Sequence, residues 1–202
     1  MSYKYDIFIS YKRNPDTKKW IDIHFIPSLE RHLEEQLGRR PTCFVDSNIQ
    51  AGADWRGHLS HALGNSKIII ILWSQSYLNS EWCTYEVAHM MEREVRCGFR
   101  TIEKPEGIIF PVIIHGGDTL PTGFSPIQKL EIQDCFNLRM SIESPKARIL
   151  DDKLNMLSKQ IARAIGNVPD WQPQWQEETD SQLFTQFKHN FKIILPLPKS
   201  SH

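Results

Sequence analysis

Apolar residues fall into short runs and into helical steps, and the two patterns alternate along the chain. Residues 5–11, Tyr-Asp-Ile-Phe-Ile-Ser-Tyr, are mostly apolar and β-prone and read as a buried strand, with Phe8 in the core. Lys12-Arg13-Asn14-Pro15-Asp16 breaks it with turn residues. Over residues 18–37 the spacing turns helical: Ile26, Leu29, Leu33 and Leu37 step by three, four and four. Pro27 inside that stretch predicts a kink or two abutting helices, and Gly38 a C-terminal stop. Residues 42–45 form a second short strand, followed by Asp46 and the polar loop Ser47 to Gly52. Asp54 is placed to cap a short helix with Trp55, Leu59, Ala62 and Leu63 on one side, ended by Gly64-Asn65. Residues 67–73 are the clearest strand: four consecutive isoleucines and Leu72 suit a central parallel strand buried on both faces.

Residues 74–80 read as a loop or short turn. Ser80 can cap the next helix, with Glu81 complementing the dipole in its first turn and a stop near Gly98. Residues 108–114 form another buried strand, in which Pro111 argues for an irregularity or an edge position. A loop rich in Gly, Pro and Thr follows, then a weak fifth strand over residues 130–136. Leu150, Leu154, Leu157, Ile161 and Ile165 line one face of a helix over residues 149–165. Strand and helix thus alternate, which predicts a doubly wound, five-stranded parallel sheet with helices on both faces. Such sheets take ligands outside the carboxyl ends of their strands. The pattern ends at Gly166. Residues 167–202 form an extension with Trp171 and Trp175 among prolines, expected to pack on the domain or on a partner.

The 202 residues suit one domain plus an appendage, and 40% hydrophobic content is that of a globular protein. Lys+Arg and Asp+Glu each number 24, so nothing global points to nucleic acid. The N-terminus lacks the apolar core of a signal peptide, and the longest apolar run, residues 68–73, is too short to span a bilayer. A cytoplasmic protein with no membrane partner is expected. Cys43, Cys83, Cys97 and Cys135 match no zinc spacing and read as free thiols. His58 and His61 can share a helix face, but without neighbouring ligands no metal site is expected.

Three segments resemble the sequence boxes of the TIR (Toll/interleukin-1 receptor) family over roughly residues 3–166. The first is Tyr5-Asp6-Ile7-Phe8-Ile9-Ser10-Tyr11 with Lys12-Arg13. The second is Phe44-Val45-Asp46, ahead of Ile49-Gln50-Ala51-Gly52. The third is Ser74-Gln75-Ser76-Tyr77 and Ser80-Glu81-Trp82-Cys83-Thr84-Tyr85-Glu86. The resemblance implies a flavodoxin-like fold for residues 1–166 and two classes of function. Adaptors in the family only assemble, through the second-box loop (here Ser47 to Gly52) and neighbouring helices. Its enzymes cleave the nicotinamide–ribose bond of NAD, and some cyclise or transfer the product. Similar stand-alone bacterial proteins act in anti-phage immunity by NAD depletion or by signalling to a separate effector. NAD is then the substrate, and no further cofactor is implied.

The glutamate diagnostic of the enzymes lies in a Trp-Cys-x-x-Glu-like motif, which makes Glu86 the implied catalytic residue. Trp82, Cys83 and Glu86 share one helix face. The implied substrate-binding residues are Ser10, Tyr11 and Arg13 beyond the first strand, Trp82 and Cys83 on the helix, and Asp46 after the second strand. Four of these have a plainer reading: Glu86 as a surface helix residue, Trp82 as core, Arg13 as part of a solvated turn, and Asp46 as a loop brace through side-chain to backbone bonds. Gln50 departs from the acidic residue often found before the loop Ala-Gly, which bears on assembly and product rather than on Glu86. A receiver-like or nucleotide-binding flavodoxin-like protein is disfavoured, because no acidic cluster follows the first strand and no Gly-rich phosphate loop is present.

Overall fold

A computed structural model describes residues 2–45, 55–120, 124 and 127–177. Its sheet has five parallel strands: β1 (Tyr5–Tyr11), β2 (Cys43–Val45), β3 (Ser66–Trp73), β4 (Ile109–Ile113) and β5 (Leu130–Glu131). Their spatial order is β2-β1-β3-β4-β5. β1 and β3 pair from Tyr5 opposite Ser66 to Tyr11 opposite Leu72. Ile7, Phe8 and residues 68–72 have no exposed surface, the outcome expected when a run is apolar at both strand parities.

Six α-helices are described: α1 (Pro15–Trp20), α2 (Ile26–Leu37), α3 (Trp55–Gly64), α4 (Glu81–Arg96), α5 (Pro145–Asn167) and α6 (Gln174–Glu177). The chain steps one way from β1 to β2 and the other way from β2 to β3 and from β3 to β4. Right-handed crossovers therefore put α2 on one face and α3 and α4 on the opposite one. α5 packs against α2.

Pro27 has the effect its sequence position suggests. It lies in the first turn of α2, and the wider π turn Ile21–Phe25 joins α1 to α2. There the Ile26 N–H reaches back to Ile21 O, so the frame shifts just before a residue that has no N–H to give. Gly38 closes α2 in the left-handed conformation, at φ 66°. α1 begins earlier than the apolar spacing indicates, because Asn14 Oδ1 accepts the Asp16 N–H at 2.8 Å and Pro15 fits the first turn.

Pro111 is not on an edge strand, since β4 pairs with both β3 and β5. Pairing to β5 starts only at Val112, opposite Leu130, so the missing N–H of Pro111 interrupts no ladder bond there. The fifth strand is shorter than the expected residues 130–136: two residues, followed by the 3₁₀ turn Gln133–Cys135. Among the described residues the β4–β5 connection carries no α-helix, only 3₁₀ turns such as Gly117–Thr119, so the strand–helix alternation lapses at that point. α5 starts before Ile149 because Ser144 Oγ accepts the Ala147 N–H at 3.2 Å and Pro145 sits in its first turn.

Two polar clusters tie elements together at the amino end of the sheet. Asp6, 3% exposed, receives both arms of Arg39 at 2.6 Å, the Thr42 N–H at 3.0 Å and Lys67 Nζ at 3.2 Å. Arg93, 1% exposed, donates to Ser66 O at 2.8 Å and to the Tyr3 hydroxyl at 2.9 Å. Its guanidinium lies 4.2 Å from the Trp175 ring centre, and Trp175 stacks on Tyr3. Trp171 Nε1 donates to Gly64 O at 3.2 Å. The first ten residues after α5 thus lie along the domain from α3 to α4. No described helix is long and apolar enough to cross a membrane.

Burial alone would raise the Asp6 carboxyl; Arg39, the Thr42 amide and Lys67 outweigh it and hold the group well below the usual carboxylate range. A depressed folded pKa gives stability that is complete above the unfolded value of about 3.9 and is lost as pH falls toward the folded value. Asp6→Asn is expected to cost about 3 kcal/mol at pH 7 and to flatten the fall in stability below about pH 4, read from urea melts across that range. Trp175→Ala should cost about 3 kcal/mol in the same assay, because it removes a ring that is 2% exposed and strips Arg93 of its cover.

Candidate active site

The direction of chain connection reverses between β1 and β3, and an open parallel sheet leaves a crevice beyond its strand ends at such a point. A cleft of about 120 Å³ lies there. Ser10, Tyr11, Lys12 and Arg13 line it from the end of β1, and Ser80, Trp82, Cys83 and Glu86 from the start of α4.

Local sequence sets the α4 side. The 3₁₀ turn Tyr77–Asn79 follows β3, and Ser80 then adopts extended backbone and caps α4 by accepting the Cys83 N–H at 3.3 Å. Glu86, one turn beyond Trp82, comes to face β1 and is only 4% exposed. Its Oε2 accepts a hydrogen bond from Ser10 Oγ, and Ser10 also bonds the hydroxyl of Tyr77. Tyr77 is wholly buried. Burial, with Cys83 and Glu86 nearby, holds its phenol well above the ordinary tyrosine range, so it stays protonated.

Cys83 ties the helix to β1 through a thiol contact of 3.6 Å to Tyr11 O. Burial and the neighbouring Glu86 push its thiol up, so it is no thiolate nucleophile. Trp82 is half-buried, and its ring stacks on Tyr85 at 4.7 Å. Tyr85 in turn lies 6.4 Å from His89 and 3.4 Å from Ser60 Oγ on α3. Burial, with Arg93 and Arg96 nearby, lowers His89 to about 3, so this aromatic row ends in a neutral imidazole.

Among the described residues the cleft therefore has one enclosed carboxylate, an aromatic side wall, and the cations Lys12 and Arg13 beside the positive amino end of α4. It suits a ligand with a cationic ring at one end and phosphates farther out. Six of the residues singled out in the sequence, Ser10, Tyr11, Arg13, Trp82, Cys83 and Glu86, line this one cleft. Ser10 has its hydroxyl engaged with Tyr77 and Glu86. Asp46 and the loop Ser47 to Gly52 lie outside the described residues. Sequence reasoning passed over Tyr77, Lys12 and Ser80 as site residues. Tyr77 stood inside the third box, but nothing in its spacing reveals that its hydroxyl meets Ser10. No group of three or more metal-ligating side chains occurs among the described residues.

A family model described as TIR domain matches residues 7–144, about two thirds of the chain. The chain belongs to the TIR domain family. This TIR domain is 31% identical over 96 residues to TMV resistance protein N of Nicotiana glutinosa, a match covering 46% of this chain and 8% of that protein. It is 32% identical over 131 residues to Toll-like receptor 4 of Pinctada imbricata, covering 64% of this chain and 13% of that protein. The chain thus spans a small part of the length of these relatives. A solved TIR domain, that of the Toll-related receptor TRR-2 of Hydra magnipapillata, aligns with a TM-score of 0.45 at 18% identity, covering 65% of this chain and 86% of that one.

In the folded TIR domain, Cys83 and Cys135 are expected to resist a thiol reagent at pH 7.5 and to react once denaturant is added, as followed by peptide mass spectrometry. Cys83 is 4% and Cys135 1% exposed, and both thiols are pushed up by burial. Rapid native labelling of Cys83 would contradict its place against Tyr11.

Proposed function

We propose that this TIR domain cleaves the nicotinamide–ribose bond of NAD, with Glu86 as the catalytic carboxylate. The observation that carries the reading is the position of Glu86: among the described residues it is the one carboxylate lining a cleft at the β1/β3 crevice, buried there and held by Ser10.

Nicotinamide in NAD carries a positive charge. As the bond from its ring nitrogen to ribose C1′ breaks, the bonding pair leaves with nicotinamide, which departs neutral and needs no general acid. Positive charge passes to the ribose, where the Glu86 carboxylate stabilises it. Water then adds to C1′ and loses a proton, giving nicotinamide, ADP-ribose and a proton. An intramolecular or external nucleophile in place of water would give a cyclic or conjugated product. Trp82 supplies an apolar wall for the ring and sugar, and Lys12 and Arg13 face the diphosphate.

Drug-sized ligands fill pockets of roughly 300–1,000 Å³, whereas the enclosed cleft measures about 120 Å³. NAD would therefore have its nicotinamide end enclosed and its adenosine end outside. Closing over that end falls to a second copy of the chain, in keeping with self-association through the loop Ser47 to Gly52 and neighbouring helices. Relatives named for virus resistance and as a Toll-like receptor support a place in immune signalling. The bacterial anti-phage setting, acting by NAD depletion or through a separate effector, is the form of it we favour.

Purified protein at high concentration should release nicotinamide from NAD, and Glu86→Gln should lower the rate by about 100-fold or more while the fold is kept. No release from the wild type, even when copies are crowded on a bead surface, would favour a non-catalytic assembly module instead.

A further inference from the structure

Ser10 is 1% exposed, and its hydroxyl meets two groups, the Tyr77 hydroxyl and Glu86 Oε2. A serine hydroxyl has one proton to give, and an ionised carboxylate only accepts. The Ser10 proton therefore goes to Glu86, and the bond to Tyr77 must be donated by the phenol. The chain of donors has one direction, from Tyr77 to Ser10 to Glu86.

Tyr77 is itself held rigidly. Its N–H donates to Ser74 O at 2.8 Å, its ring lies 5.5 Å from that of Trp73, and it has no exposed surface. It reaches Ser10 from the end of β3, so the relay bridges the two strands whose ends form the crevice. We infer that Tyr77 is a positioning residue for Glu86, acting through Ser10: its buried phenol fixes the Ser10 hydroxyl rotor and thereby the orientation of the carboxylate in the cleft. The catalytic consequence rests on the function proposed for Glu86; the relay does not. A second hydroxyl behind the first also polarises it, so Ser10 binds the ionised carboxylate more strongly than a lone serine would.

Among the described residues, the titratable or charged groups that line the cleft with Glu86 include Cys83 on its own helix and Lys12 and Arg13 from the loop after β1. All remain when Tyr77 or Ser10 is changed. Tyr77→Phe removes one oxygen and keeps the ring that fills the space beside Trp73.

The test follows the Glu86 carboxyl by carbon NMR in the whole chain with ¹³C-labelled glutamate, its signal assigned by its loss in Glu86→Gln. Ser10→Ala removes a bond to the ionised form, so the Glu86 midpoint is expected to move up by about one pH unit. Tyr77→Phe is expected to move it the same way by less. The Ser10→Ala/Tyr77→Phe pair should lie close to Ser10→Ala alone, because the hydrogen-bonded path from Tyr77 to Glu86 runs through Ser10. A core residue with only a packing role would not move the midpoint. In NAD turnover the acid limb should shift in parallel, and kcat should fall by about tenfold or less in Tyr77→Phe with KM little changed.

An unmoved Glu86 midpoint in a folded Tyr77→Phe protein overturns the inference, as does an effect of Tyr77→Phe that adds fully to that of Ser10→Ala. Should Ser10→Ala not fold, Tyr77→Phe alone decides. A wild type that releases no nicotinamide defeats the proposed enzyme activity and leaves the NMR titration to judge the relay.

Discussion

The central strands are covered on both faces, and the site follows from that constraint. A polar side chain at the end of such a strand finds little water and must be satisfied by the protein. Ser10 meets the requirement with Tyr77 and Glu86, one from each side of its hydroxyl. At the other end of the sheet the same requirement collects Arg39, Thr42 and Lys67 around Asp6. Glu94 accepts the N–H groups of Ile108 and Ile109 at 2.6 and 3.0 Å together with the fork of Arg100. The sheet thus has an apolar middle and paired polar ends. The carboxyl end differs in having a cleft beside it, so its buried carboxylate adjoins space that a ligand can enter.

Much of this could be read along the chain, for identifiable reasons. The isoleucine run of β3 and the mixed run of β1 mark strands buried on both faces, and periodicity reports burial directly. Ser80 and Gly38 mark helix ends because their effect is local. Glu86, Trp82 and Cys83 share a face through helix geometry alone, so their grouping needs no tertiary knowledge. Pro111 misleads as an edge marker, because what matters is whether its own position has a partner, and that depends on where β5 begins. The fifth strand is shorter than residues 130–136 suggest for a related reason: Ile132 and Cys135 are buried, and burial does not require a ladder. Tyr77 stayed hidden because its task depends on Ser10, 67 residues earlier, and no local pattern carries that distance.

α4 joins these parts. Glu86 stands near its start and Arg93 seven residues later, two turns or about 10 Å along the axis. Arg93 is held by Tyr3 from before β1 and by Trp175 from beyond α5. The helix that presents the carboxylate at one end of the sheet is thus anchored at the other by segments far apart in sequence. This arrangement links the stability of the residues around Trp175 to the setting of the cleft. The aromatic row of Trp82, Tyr85 and His89 gives the same helix a contact with α3 along its flank.

The margins of the sheet bear on how copies of the chain can meet. Among the described residues β2 has three residues and β5 two, and Pro111 offers no N–H on the side where β5 begins. Strand addition needs a longer row of unpaired backbone groups to template the incoming chain. The described margins therefore offer little cross-β edge to a strand from another copy, and a continuous backbone ladder of that kind is a step toward amyloid.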